Sequence, residues 1–332
     1  MVMGRTATLR MREFMSLPRT VLGLALAALL TSCGDDSPTG PAGRQSRILF
    51  TASRTTTASE IYVMNSDGTG QRRLTFNSVF ELQPSWSPDG SYIVFCRSWQ
   101  DSSQRSWSGI FRIQPDGTNE VCIDSIADAF RVDPRVSPDG SKIAFCQMSN
   151  RFEVWVMNAN GSGEVNLTPA PEQGNHPDWS PDGARIVYAR MDPVLGSRIY
   201  TMKSDGSDTM KVVETGVPSS NQFQPRWSHD GTMIAYADDR GVDLGPYDHR
   251  MWIYVVHPDG SNPAAVTPLT DGYRDMPTWS PDDRKIAYRD NFRNGSVADA
   301  EIYTIAVDGS GETNVSRFPA AHDLNPDWGP AP

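Results

Sequence analysis

Histidine and cysteine are scarce here, with five and four in 332 residues. No two of them stand at His-x-x-x-His or Cys-x-x-Cys spacing, which excludes a zinc site built from local ligands. No Gly-x-Ser-x-Gly nucleophile turn occurs either. Basic side chains are in deficit. Residues 1–32 hold four arginines and one glutamate, so the remainder carries 26 basic and 39 acidic side chains, a formal net of −13. That charge argues against nucleic acid and against anionic lipid as electrostatic partners, and it leaves a cationic partner open. Long apolar runs are also missing. The one candidate, Val21 to Leu30, has about half the length needed to cross a bilayer as a helix.

That short run suits the apolar region of an export signal instead, since Arg10, Arg12 and Arg19 precede it. It ends in Leu30-Thr31-Ser32-Cys33, which resembles the lipobox of bacterial lipoproteins. The resemblance implies a signal peptide over residues 1–32 and lipidation at Cys33. Residues 33–44 are small, polar and turn-forming, the composition of a flexible tether. Gly34 rather than aspartate after the cysteine favours the outer membrane. The expected location is therefore the bacterial cell envelope, held by a multiply acylated anchor.

Three cysteines remain. Cys96 and Cys146 each close an Ile-x-Phe-Cys run and occupy a position filled by alanine elsewhere in the chain. Cys122 would lie two strands from Cys96; at about 4.8 Å per strand that exceeds the roughly 7 Å bridging limit. All three are expected to be buried thiols.

What the chain has in quantity is a repeat. Pro177-Asp178-Trp179-Ser180-Pro181-Asp182-Gly183 returns with small changes at Pro84, Pro134, Pro225 and Pro277, and in shortened form as Pro326-Asp327-Trp328-Gly329-Pro330. The aromatic positions, with Val136 in one copy, are 50, 43, 48, 52 and 49 residues apart, the period of propeller blades. In each unit Ser-Pro-Asp-Gly turns the chain into a second strand such as Ile186-Val187-Tyr188. A third strand alternates as in Ile199-Tyr200-Thr201-Met202, and Asp-Gly or Asn-Gly follows as a hairpin turn. A fourth ends in Leu-Thr or a degenerate version. The first unit begins at its second strand, Ile48-Leu49-Phe50, and lacks a Pro-x-Trp strand; Pro326-Asp327-Trp328 supplies one from the other end. The fold expected over residues 45–332 is all-β, a six-bladed β-propeller closed by pairing of N- and C-terminal segments in one blade.

Trp-Ser-Pro-Asp-Gly, Ile-x-Phe/Tyr, Ile-Tyr-x-Met, Asp-Gly and Leu-Thr together resemble the repeat of the TolB propeller and its relatives. That resemblance covers the folded region. TolB carries an additional N-terminal α/β domain and is soluble in the periplasm, whereas here a short tether leads straight from the expected anchor to the first blade, so the Tol-Pal role is not implied. The same repeat occurs beside peptidase domains in other proteins, and no such domain is expected here.

Topology puts the Ser-Pro-Asp-Gly and Asp-Gly turns on one face. The connections from second to third strand, and from fourth strand to the next blade, lie on the other. The latter face is the expected binding surface, with Trp99 and Trp107 between Arg97 and Gly109, Tyr247 and His249 between Asp238 and Arg250, and Phe292 after Asp290. The residues before each proline are expected at the channel mouth on that face: Glu81, Gln83, Arg131, Asp133, His176, Gln224, Arg274, Asp323 and Asn325. His176 and His322 fall on opposite blades, too far apart for one metal. These features point to a monomeric, non-catalytic binding propeller with an envelope protein or glycan as partner, no nucleic acid, no metal and no cofactor. A carbohydrate-active lyase or hydrolase at the channel mouth is the alternative.

Overall fold

The computed structural model describes residues 46–330, apart from 55–57, 193–195, 214–219, 242–249, 271, 292–299 and 319–321. Cys33, the leader, the tether, Tyr247, His249 and Phe292 lie outside the described residues.

Six four-stranded antiparallel sheets make up the fold. In blades 2 to 6 the inner strand comes first in sequence: Phe80–Trp86, Phe130–Val136, Gly174–Trp179, Gln222–Trp227 and Arg274–Trp279. Blade 1 takes its inner strand, Asp323–Gly329, from the other end of the chain. It pairs with Arg47–Ala52 in the register Ile48↔Trp328 and Leu49↔Asp327. Arg47–Ala52 in turn pairs with Glu60–Asn65, which pairs with Arg72–Arg73. The expected closure is what the structure shows.

The core is a ring of layers between blades. Leu49, Ile61 and Leu74 of blade 1 pack on Trp86, Ile93 and Phe95 of blade 2. Ile48, Phe50 and Trp328 of blade 1 meet Ala287, Ile302 and Val315 of blade 6. Each repeated residue has a task in this arrangement. The serine hydroxyl of Ser-Pro-Asp-Gly donates to the aspartate, as Ser180 Oγ does to Asp182 Oδ1 at 2.6 Å, and accepts the N–H of Arg185 at 2.9 Å. Such bonds favour the ionised carboxyl; with the Ser137 hydroxyl and the Ser141 N–H and hydroxyl on it, Asp139 is held down to about 2. The hydroxyl of Leu-Thr accepts an N–H near the start of the third strand, from Ile61 to Thr75 at 3.0 Å and from Val154 to Thr168 at 2.8 Å.

Two departures from the repeat have local causes. In the sixth copy Gly329 replaces serine, because a Cβ there would come within 2.1 Å of the Trp86 ring of blade 2. In blade 5 His229 replaces the turn proline, and in blade 6 Asp283 replaces the turn glycine; the two substituted residues meet. The Asp283 carboxylate accepts the His229 and Asp230 N–H groups and lies 2.9 Å from His229 Nδ1. That hydrogen bond raises the His229 pKa.

Blade 2 departs from expectation. Residues 97–109 were expected as a long loop, yet strands Ile93–Gln100 and Ser106–Ile113 run nearly to its tip with Trp99 opposite Trp107. The outer strand, Val121–Ala127, has seven residues against two in the other blades, and it backs this longer hairpin. Cys122 sits on that strand and is exposed, correcting the expectation of a buried thiol. An outermost strand has no neighbour on its free edge to cover it. Cys96 and Cys146 are buried, and all three thiols are free.

Two outcomes test these assignments. Gly329→Ala should destabilise the protein by about 2 kcal/mol through forced displacement at the blade 1–2 seam, measured by urea unfolding. The His229–Asp283 contact raises the folded-state pKa, so its contribution is full below the unfolded histidine pKa of about 6.5 and fades as pH rises through the folded value. The stability difference between wild type and His229→Asn should therefore be larger at pH 5 than at pH 8, by less than about 1 kcal/mol because His229 is half exposed.

Candidate functional site

The residue before each inner-strand proline adopts a left-handed conformation although none is glycine: Gln83, Asp133, His176, Gln224, Met276 and Asn325 all have φ between 52° and 56°. Each lies in a bulge. In blade 2, for example, Leu82 faces Cys96 and Ser85 faces Val94, so Gln83 and Pro84 share one partner residue. Side chains in this conformation cost roughly 1–2 kcal/mol apiece, and what they gain is contact between blades. Gln83 Oε1 accepts the Asp133 N–H at 3.0 Å, and Gln224 Oε1 accepts the Met276 N–H at 2.9 Å. Asn325 Nδ2 donates to Met276 Sδ at 3.3 Å, and within blade 1 Thr51 Oγ1 donates to Asn325 Oδ1 at 3.1 Å.

The bulge also sets which of the residues before each proline reach the channel. Glu81, Arg131, Arg274 and Asp323, each two residues upstream of the bulged position, do not line the channel. They are buried within the blades in ion pairs. Arg97 Nε donates to Glu81 at 3.0 Å, Arg274 Nε to Asp290 at 3.2 Å and Arg54 Nε to Asp323 at 3.2 Å, while Arg131 is held by Glu164. Gln83, Asp133, Gln224 and Asn325 do border the channel cavity. His176 stands edge-on to Phe223, 6.3 Å between centroids, with Nε2 3.7 Å from Asp133, and burial lowers its pKa.

A second ring, absent from the expected site, comes from the middle residue of Pro-x-Trp: Asp327, Ser85, Arg135, Asp178, Arg226 and Thr278 in blade order. Its signal was available, since this is the one position of the motif that varies freely. Several members lace blade to blade. Asp327 accepts the Trp86 N–H at 2.8 Å, Asp178 the Trp227 N–H at 2.9 Å, and the Trp179 and Trp279 indoles donate to the Arg135 and Arg226 carbonyls. Arg135 Nη1 reaches past blade 2 to Asp327 at 2.9 Å. Arg226 differs. It is 9 % exposed, its Nη1 donates to the Pro225 carbonyl, and no carboxylate oxygen among the described residues lies within 4.0 Å of it. Burial, with Arg135 nearby, lowers its pKa to about 10. The Nε atoms of both arginines are buried without an acceptor, each a loss of about 1–3 kcal/mol.

On the loop face, Trp99 and Trp107 stack at 6.4 Å with an 11° interplanar angle. Both are half-buried; Trp99 packs on the blade 1–2 core, and the Trp107 indole donates to Asp101 at 3.1 Å. The more exposed apolar groups there were not among the expected residues. Phe76 is 78 % and Leu269 63 % exposed, and Phe80, Phe130 and Phe318 also face solvent. All five lie in, or directly follow, connections from a fourth strand to the next blade. Guanidinium groups hold two of them, Arg73 4.8 Å from the Phe76 ring and Arg54 4.4 Å from that of Phe318.

Among known families, the TolB beta propeller domain matches residues 37–219, more than half of the chain. The chain belongs to this family. An uncharacterized protein of Agrobacterium fabrum strain C58 is 27 % identical over 140 residues, 41 % of this chain and 46 % of that protein. An uncharacterized peptidase of Bacillus subtilis strain 168 is 27 % identical over 131 residues, 37 % of this chain and 18 % of the peptidase. The match thus spans less than half the length of either curated relative. Among solved structures, TolB from Acinetobacter baumannii superposes with a TM-score of 0.68 at 19 % identity, over 86 % of this chain and 67 % of TolB. A putative TolB from Agrobacterium tumefaciens gives 0.58 at 18 % identity, over 86 % of this chain and 99 % of its own. Identities this low carry the fold alone.

The two ring arginines should respond differently to truncation. Arg135→Met breaks the direct ion pair with Asp327 and should cost about 3 kcal/mol, whereas Arg226→Met removes a guanidinium with no carboxylate within 4.0 Å among the described residues and should cost less. Chemical denaturation of the two variants measures the contrast.

Proposed function

We propose that this protein is a non-catalytic binding propeller, lipid-anchored through Cys33 in the bacterial envelope, that engages a partner macromolecule on its loop face. The observation that carries this reading is the distribution of exposed phenyl and leucyl side chains. Phe76, Phe80, Phe130, Leu269 and Phe318 belong to one end of a rigid scaffold, while the opposite end consists of tight turns held by their own serine and aspartate side chains. Exposed apolar groups at one end of a rigid scaffold mark an interaction site. Membership of the TolB propeller family supports an envelope role.

The test combines anchor and surface. Metabolic labelling with a palmitate analogue in a bacterial host should modify the wild type and not Cys33→Ala. Photo-crosslinkers placed beside Phe76 and Phe318 should trap one discrete partner in intact cells. The Phe76→Ser/Phe318→Ser double variant should lose that adduct at least tenfold with unchanged thermal stability. An undiminished adduct, or equal trapping from the tight-turn face, would overturn the assignment of the surface.

A further inference from the structure

The described chain enters the propeller at the tight-turn end. Ser46 accepts the Ser66 N–H on its carbonyl at 3.1 Å, beside the Asp67-Gly68 turn, and the Trp328 indole on its hydroxyl at 3.0 Å. Arg47 pairs there with Asn65 and Gly329. From that point Arg47–Ala52 runs to the opposite end, where Ala52 faces Glu60 and Asp323 and Arg54 lies over the Phe318 ring. Phe76 follows Thr75, whose hydroxyl accepts the Ile61 N–H at that same end. Six residues of strand thus separate the entry point from the exposed rings by about 20 Å.

Exposed apolar groups of this kind fit either a bilayer or another protein, and the path of the chain decides between them. Residues 34–46 join Cys33 to the entry point. A chain of thirteen residues spans about 20 Å on average and roughly 45 Å at full stretch. To lay the loop face on the lipid that holds Cys33, the same segment must first pass outward across strands Glu60–Asn65 and Arg72–Arg73, about 10 Å, and then climb about 20 Å along the blade. That path exceeds the average reach of the segment. With the turn face toward the lipid, no stretch is needed. The formal net charge of −13 adds no attraction to an anionic bilayer. We propose that the loop face points away from the anchoring bilayer and is occupied by a water-soluble protein, not by lipid. This rests on the anchor and the surface of the proposed function and adds the direction in which that surface is presented.

The experiment uses the full-length protein, purified in detergent from a bacterial host and returned to vesicles of phosphatidylethanolamine and phosphatidylglycerol that carry a headgroup acceptor dye. Cys122→Ser removes the exposed thiol, and a donor dye is attached through Lys142→Cys or Asn150→Cys. Both positions are exposed, and they flank the strand Lys142–Met148 at its turn-face and loop-face ends. Energy transfer should be at least about twofold stronger from position 142, which lies about 25 Å nearer the lipid. The Phe76→Ser/Phe318→Ser double variant should leave that ratio unchanged, since the rings do not hold the loop face to the membrane. The protein trapped beside Phe76 in cells should, without crosslinking, fractionate with the soluble envelope contents. Equal transfer from the two positions, stronger transfer from position 150, or a ratio that shifts in the double variant overturns the orientation. An integral membrane protein as the trapped partner overturns it too. Failure of the chain to float with the vesicles removes the anchor, and the proposal with it; the transfer ratio is read only on chains that float, so the two failures are distinct.

Discussion

Everything in this fold depends on the pairing of Asp323–Gly329 with Arg47–Ala52. Each blade buries its faces only against its neighbours, so an open row of six would leave two unburied faces and an incomplete first blade. Closing the row removes both faces and gives blade 1 its inner strand. The seam bears marks of that role. Gly329 interrupts the motif so that Trp86 can pack against it, and the Trp328 indole donates to Ser46 at the start of the described chain. Within a ring, a change that only one seam can accommodate must be matched across that seam. His229 and Asp283 show this: each breaks the repeat in its own blade, and together they make a contact that proline and glycine could not.

Much of this was legible in the sequence because the repeated residues are structural. Pro-x-Trp, Ser-Pro-Asp-Gly and Asp-Gly recur since the blades need the same inner strand and the same turns, and Leu-Thr or a variant recurs where a hydroxyl caps the third strand, as at Thr75, Thr168, Thr267 and Ser316. Six copies of one requirement are easily read. The unrepeated residues were harder, for a specific reason. Glu81, Arg131, Arg274 and Asp323 were placed on the channel because they stand just before the inner-strand prolines. The left-handed residue before proline inserts an extra position and turns the upstream side chains into the blades. No composition rule announces that bulge, because glycine, its usual marker, is absent from all six sites.

The same reasoning explains why the blade 2 connection was misread. Residues 97–109 look like a loop in polarity and length, but Trp99 and Trp107 stack across the strands and Arg97 joins Glu81 to Glu120. These cross-strand contacts extend the hairpin beyond what local propensity suggests. They need an outer strand long enough to support them, Val121–Ala127, whose free edge leaves Cys122 exposed. Two departures from expectation therefore share one physical cause.

Glycine at the pre-proline positions would remove about 1–2 kcal/mol of backbone strain at each site, yet none of the six has it. The lacing bonds of Gln83 and Gln224 account for two of these side chains, and the contact of Asn325 with Met276 for two more. Asp133 and His176 face each other across a seam instead, with His176 Nε2 3.7 Å from Asp133 and the imidazole edge-on to Phe223 of the next blade. The channel wall thus divides in two: amides that tie blade to blade, and a buried sector of Asp133, His176 and Arg226 whose charges act on one another.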